Sequence, residues 1–132
     1  MAEGFSNIVK QTAKYISENA TIAAKLNKPL VIEEFGLPRD GQSFDPDTAT
    51  LYRDQYYKRV LSFIGNGYVD GANFWAFGGT ARPKKGQTFW KSGDDLMGDP
   101  PMEEQGLNSV FDSDQSTWKV IRSATNSIRA YK

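Results

Sequence analysis

The sequence predicts an α/β fold with parallel strands. Two short apolar runs, at 30–34 and 71–77, have strand character. Three stretches with helical periodicity, at 5–27, 46–64 and 114–131, precede, separate and follow them. That alternation implies parallel strands joined by helical crossovers.

In the first stretch, Ile8, Thr12, Tyr15 or Ile16, Ala20, Ala23 and Leu26 or Asn27 recur at three- and four-residue steps. Such spacing makes a single apolar stripe on a helix. Asn27 suits a helix stop, and Pro29 cannot continue the helix. Leu30, Val31 and Ile32 then run straight into Glu33 and Glu34, with Pro29 and Gly36 as brackets. A short apolar run so bounded is a strand, and its two-sided apolarity suits a parallel strand buried on both faces. Asp45-Pro46 is an N-cap with proline at the first helical position. Ala49, Tyr52, Tyr56, Val60, Phe63 and Ile64 share a face of the helix that follows, and Gly65-Asn66-Gly67 ends it. The aromatic run Ala72 to Phe77 is the second strand, and Gly78-Gly79 closes it. A loop at 78–108 is longer than structureless connections usually are, which points to a functional loop or lid. Ser113 or Asp114 caps the last helix, with Val120 or Ile121, Ala124, Ile128 and Tyr131 on one face.

Two parallel strands do not close by themselves. Each keeps an unpaired apolar edge, and such edges pair with other chains. Sheets usually hold ~4–6 strands. The expectation is a partial sheet that associates with further strands, or with copies of itself, to complete one.

Composition narrows the chemistry. The 132 residues suffice for one ordinary domain, and 39% hydrophobic with 24% charged is a globular balance. With 16 basic and 16 acidic residues the formal net charge is zero, so no field favours nucleic acid or an acidic membrane. No apolar run approaches a membrane span. The first residues lack the basic and apolar regions of a signal peptide. There is no cysteine and no histidine. That excludes disulfides and thiolate metal sites, and removes the commonest general base. No metal or cofactor is expected, and acid–base work falls to Asp, Glu, Lys or Tyr.

Glu34 is the leading chemical candidate. It stands at the carboxyl end of a strand, where α/β folds place their chemistry. Strict alternation puts Leu30, Ile32 and Glu34 on one face, with Val31 and Glu33 on the other. The two glutamates then point apart and do not form a pair. The plainer alternative is that both cap the strand and pair with Arg39 or a lysine. Trp75 shares a strand face with Asn73 and Phe77; its indole is either a platform for a sugar ring or core packing. Trp90, in the long loop with Phe89 and Asp94, is either a second sugar-contacting wall or an anchor of its own loop. Trp118 is a partly exposed packing residue.

These same residues carry a family resemblance. Lys28-Pro29-Leu30-Val31-Ile32-Glu33-Glu34-Phe35-Gly36 resembles the seventh-strand motif of glycoside hydrolase family 5, above all its endo-β-1,4-mannanases. Gly71-Ala72-Asn73-Phe74-Trp75-Ala76-Phe77-Gly78-Gly79 is similar to their eighth strand. The run from Gly98-Asp99-Pro100-Pro101 to Ser109-Val110-Phe111 resembles the segment after it. The order matches, and the resemblance covers nearly the whole chain.

The resemblance implies a C-terminal fragment of a (β/α)8 TIM barrel, with strands seven and eight and their flanking helices. It implies a retaining hydrolase of β-1,4-mannosidic bonds in mannan-type polysaccharides, secreted or periplasmic. Glu34 would be the nucleophile, Trp75 the floor of the cleaved sugar's subsite, and Trp90 a weaker loop contact. The family's acid/base glutamate follows an asparagine at the end of strand four and has no counterpart here. The chain alone is therefore expected to be inactive, with the missing N-terminal barrel part, or copies of itself, as partners. The alternative is a non-catalytic, self-associating α/β module or a sugar-binding remnant.

Overall fold

The structure is a computed structural model and describes residues 2–129. It contains helix α1 (Ala2–Lys25), strand β1 (Val31–Phe35), helix α2 (Leu51–Gly65), strands β2 (Gly71–Phe74), β3 (Phe77–Gly79) and β4 (Val110–Phe111), and helix α3 (Gln115–Arg129). The expected helix end at 131, with Tyr131, lies outside the described residues. No helix among the described residues is long and apolar enough to cross a membrane.

α1 ends two residues earlier than 5–27 predicts. Asn27 takes a left-handed conformation (φ 49°), and Lys28 N–H donates to Ala23 O, which closes the helix in a Schellman arrangement. α2 starts at Leu51 rather than at 46. Asp45 is not its cap, because the Asp45 side chain turns back to accept Asp47 N–H at 3.0 Å. The free N–H groups of Leu51 and Tyr52 are taken instead by Asp40, a residue eleven positions upstream, at 3.1 Å each. A carboxylate there also suits the helix dipole. α2 closes at Gly67, whose φ of 73° a side chain would strain.

β1 and β2 pair in parallel, with Val31 opposite Gly71 and Ile32 opposite Ala72. Asp70 extends the pairing by one step, exchanging bonds with Leu30 through its backbone N–H and its carboxylate. The predicted single strand 71–77 is two strands. It is interrupted at Trp75–Ala76, joined by a cis peptide, and it changes partner there. β2 pairs with β1, whereas β3 pairs in parallel with β4. Gly78 permits that second pairing, since a Cβ on it would lie 2.6 Å from the Phe111 ring.

The core lies between the β1–β2 pair and the helices. Phe35 packs on Tyr56 and Tyr57 of α2, joined by Ile16, Val60, Phe63, Val69 and Val110. Burial pushes the Tyr57 phenol far above its ordinary pKa. α1 turns Phe5, Val9, Ala13 and Ile16 to this core. Of the alternatives Tyr15 and Ile16 for the buried stripe, it is Ile16 that is buried; Tyr15 is 69% exposed, and Ile8, also expected on that stripe, is exposed. α1 thus carries two apolar faces, and only one is covered. Burial of β1 on both faces is likewise not observed: Val31 is 48% exposed.

Arg39 and Arg53 are almost wholly buried and share one carboxylate, Asp114. Arg53 also donates to the carbonyls of Leu37, Ser109 and Leu107. This cluster ties the loop after β1, helix α2 and the segment entering α3.

Candidate active site

Glu34 sits near the carboxyl end of β1, and the sheet register slips by one residue between Ile32 and Phe35. Ile32 and Phe35 both pack into the core on the helix side, three residues apart instead of two. The expectation that Leu30, Ile32 and Glu34 share a face therefore fails. An extra residue in the strand breaks the alternation that the prediction assumed. Glu33 and Glu34 fill the irregular stretch, and both are exposed.

The structural employment considered for these glutamates is not found. Arg39 is committed to Asp114, with Nη2 2.7 Å from Oδ2. Among the described residues neither Glu33 nor Glu34 forms an ion pair. Both line an open trough of about 620 Å³ between the unpaired edge of β1 and Gln11, Thr12 and Tyr15 of α1. Trp75 does not line it.

Trp75 stands on the other side of β1, directly after β2. Its N–H donates to Phe35 O at 2.7 Å, one residue beyond Glu34. Its carbonyl accepts from Tyr57 Oη at 3.4 Å. Gly36 makes the approach possible, for a Cβ there would meet Trp75 O at 2.3 Å. The indole is half-buried and donates from Nε1 to Asp99 Oδ1 at 3.2 Å. Glu34 thus stands one residue before the end of β1 and Trp75 one residue after the end of β2, and the two adjacent parallel strands are bonded there through the backbone of Phe35 and Trp75.

Trp90 lies elsewhere in the long loop. That loop is not structureless: Phe89 bridges Glu104, and Met97 packs with Ala81 and Phe111 in a small core of its own. Trp90 Nε1 donates to Asp94 O at 3.0 Å. The Asp94 carboxylate accepts from Lys84 Nζ, the Gln87 amide and Lys91 N–H. Those bonds, Lys84 first, hold its pKa below the usual carboxylate range. Their contribution is complete above the ordinary Asp value of about 3.9 and is lost as pH falls through the lower folded value. The Trp90 indole N–H resonance is expected to move in one step with its midpoint below about 3.9. Asp94→Asn should remove that step, and a resonance flat throughout in the unmodified chain would contradict it.

Asp99 and Asp40 were not legible as site or support residues, and the sequence offered Asp114 only as a helix cap and Arg39 only as a partner of the glutamates, not as members of one cluster with Arg53. In sequence Asp99 stands between Gly98 and Pro100-Pro101, where an aspartate signals only a turn. Among the described residues no group of three or more His, Cys, Asp or Glu could hold a metal ion.

A family model described as GH family 5 beta-mannosidase-like matches residues 1–132. The crystal structure of the glycoside hydrolase family 5 mannosidase from Rhizomucor miehei superposes with a TM-score of 0.82 at 29% identity, over 98% of this chain and 34% of that one. A variant of that mannosidase in complex with mannosyl-fructose gives 0.78 at 29% identity, over 95% and 32%. The endo-beta-1,4-mannanase from Thermotoga petrophila gives 0.60 at 22% identity, over 94% and 23%, a likeness of fold alone. The chain spans about a third of the length of the mannosidase structures it matches, consistent with the C-terminal part of a (β/α)8 barrel. None of the curated proteins matches it.

Proposed function

The chain belongs to the β-mannosidase-like members of glycoside hydrolase family 5, and on that premise we propose that it carries the nucleophile and sugar platform of a retaining mannoside hydrolase. Glu34 is the nucleophile and Trp75 the platform; Trp90 is at most a loop contact, since its N–H serves its own loop. The substrates are β-1,4-mannosidic bonds in mannan-type polysaccharides. A polymeric substrate of that kind puts the parent enzyme outside the cytoplasm, secreted or periplasmic.

One observation carries this reading. Glu34, an exposed carboxylate without an ion pair among the described residues, is the last but one residue of a parallel strand, and Trp75 follows the strand bonded beside it. In a retaining reaction that carboxylate attacks the anomeric carbon and forms a glycosyl ester, while a second carboxyl group about 5–5.5 Å away protonates the leaving oxygen and then activates water. The residue following an asparagine at the end of the family's fourth strand fills that second role, and this chain has no equivalent. Alone it is inactive.

The test mixes the chain with the remaining part of the barrel. Release of mannose or manno-oligosaccharides should appear in the mixture and in neither part separately. Activity of the chain by itself would overturn the division of labour.

A second reading, a self-associating module, has its own support in the uncovered Tyr15 and Val31 and the open edge of β1. Light scattering after size exclusion should give a mass that rises above the monomer's with concentration. A monomer's mass at every concentration would reject association through that edge.

A further inference from the structure

We propose that Asp99 is a positioning residue for the sugar platform, its buried carboxylate fixing the plane of the Trp75 indole. This rests on the reading of Trp75 given above. An indole has one polar atom, and here its N–H goes to Asp99 Oδ1. A flat ring serves a sugar only in the right plane, and this bond is what holds the ring edge.

The acceptor is unusual for so small a task. Asp99 is only 6% exposed, and among the described residues it has no cationic partner. Its Oδ2 accepts Gly106 N–H at 2.7 Å. Ser109 Oγ stands 3.4 Å away, but its proton is used at 2.6 Å on Met97 O. A neutral acceptor would bond the indole at a lower desolvation cost. A carboxylate adds what a neutral group lacks: a charge-assisted bond and a negative charge at the rim of the ring. That charge makes the ring face more attractive to positive charge, which a sugar develops in the oxocarbenium-like transition state.

The surrounding loop is built as a bracket for this carboxylate. Gly98, at φ 93°, packs so closely that a Cβ would lie 2.6 Å from the Ala76 Cβ. The buried Gln105 amide spans the carbonyls of Asp99, Pro100 and Glu103 at 3.2, 2.8 and 3.1 Å. Loop and platform are thus locked across the residues that directly follow Trp75.

The experiment follows the three indole N–H resonances of the ¹⁵N-labelled chain with Asp99→Asn. The Trp75 signal should shift upfield and exchange with deuterium at least about tenfold faster, the worth of a charge-assisted bond. Trp90 and Trp118, bonded to Asp94 O and Phe111 O, should stay put. A Trp75 signal unchanged in position and exchange overturns the proposal. Should the variant not fold, the unmodified chain decides: with ¹³C and ¹⁵N labels, the Trp75 indole nitrogen must show a through-hydrogen-bond coupling to the Asp99 carboxylate carbon, and its absence refutes the positioning. Adding mannotriose to the unmodified chain separates the two readings. No response at Trp75, with the Asp99→Asn effect intact, sinks the platform and leaves the positioning standing.

Discussion

Asp114→Ala is expected to lower folding stability by about 3–5 kcal/mol, the usual cost of removing one partner from a buried ion pair. A domain has only about 5–15 kcal/mol in total, so the variant should be close to unfolded in mild urea. The Asp114 side chain is 3% exposed, and the two guanidiniums it faces are fully buried. Removing it leaves two buried cations facing each other. Burial already pulls the Arg53 guanidinium below its ordinary pKa, and Arg39 beside it acts in the same direction. The Phe111 N–H would lose its acceptor as well. Arg39→Met should cost clearly less. Asp114 then keeps Arg53 and Phe111, and the buried Arg39 Nε, which has no partner among the described residues, disappears. Asp112→Asn, which breaks only the exposed pair with Arg82, should hardly move the urea midpoint. An Asp114→Ala unfolding free energy within about 1 kcal/mol of the unmodified protein's would mean that the cluster is not what joins the loop, α2 and α3.

That cluster also shows where sequence reasoning stops. The α/β order, the parallel pairing and Asn27 as the left-handed stop after α1 follow from local signals: apolar period, proline and glycine placement, and stop residues. Such signals live within one turn or one strand. Arg53 bonds to carbonyls more than fifty residues away, and on a helical pattern it reads as a solvated charge. The face assignment on β1 failed for a related reason. A bulge is a property of the pairing, and nothing in Ile32-Glu33-Glu34-Phe35 marks it. α1 misled differently: with apolar residues on two faces, periodicity alone could not say which one meets α2. The exposed face is legible only against a larger barrel, where a neighbouring strand would fill the trough beside β1.

Glu34→Gln, in the chain combined with the rest of the barrel, is expected to lower turnover by at least about 10⁴-fold, in the range seen when a nucleophile is removed from a working catalytic unit. An amide cannot form the glycosyl ester, while the fold has no reason to respond, because Glu34 makes no ion pair among the described residues. The strand bulge makes a second variant necessary. Since strict alternation does not hold between Ile32 and Phe35, Glu33 is not excluded by its facing, and Glu33→Gln must be measured beside it. A loss of less than about tenfold there, with the large loss at Glu34, assigns the nucleophile. The reverse pattern gives the role to Glu33. Chemical rescue supplies the stereochemical arm. With Glu34→Gly and a substrate bearing a good leaving group, azide should enter from the vacated face and give a mannosyl azide of inverted configuration. Turnover that persists in Glu34→Gln, or rescue that gives only the retained azide, would place the nucleophile on another residue.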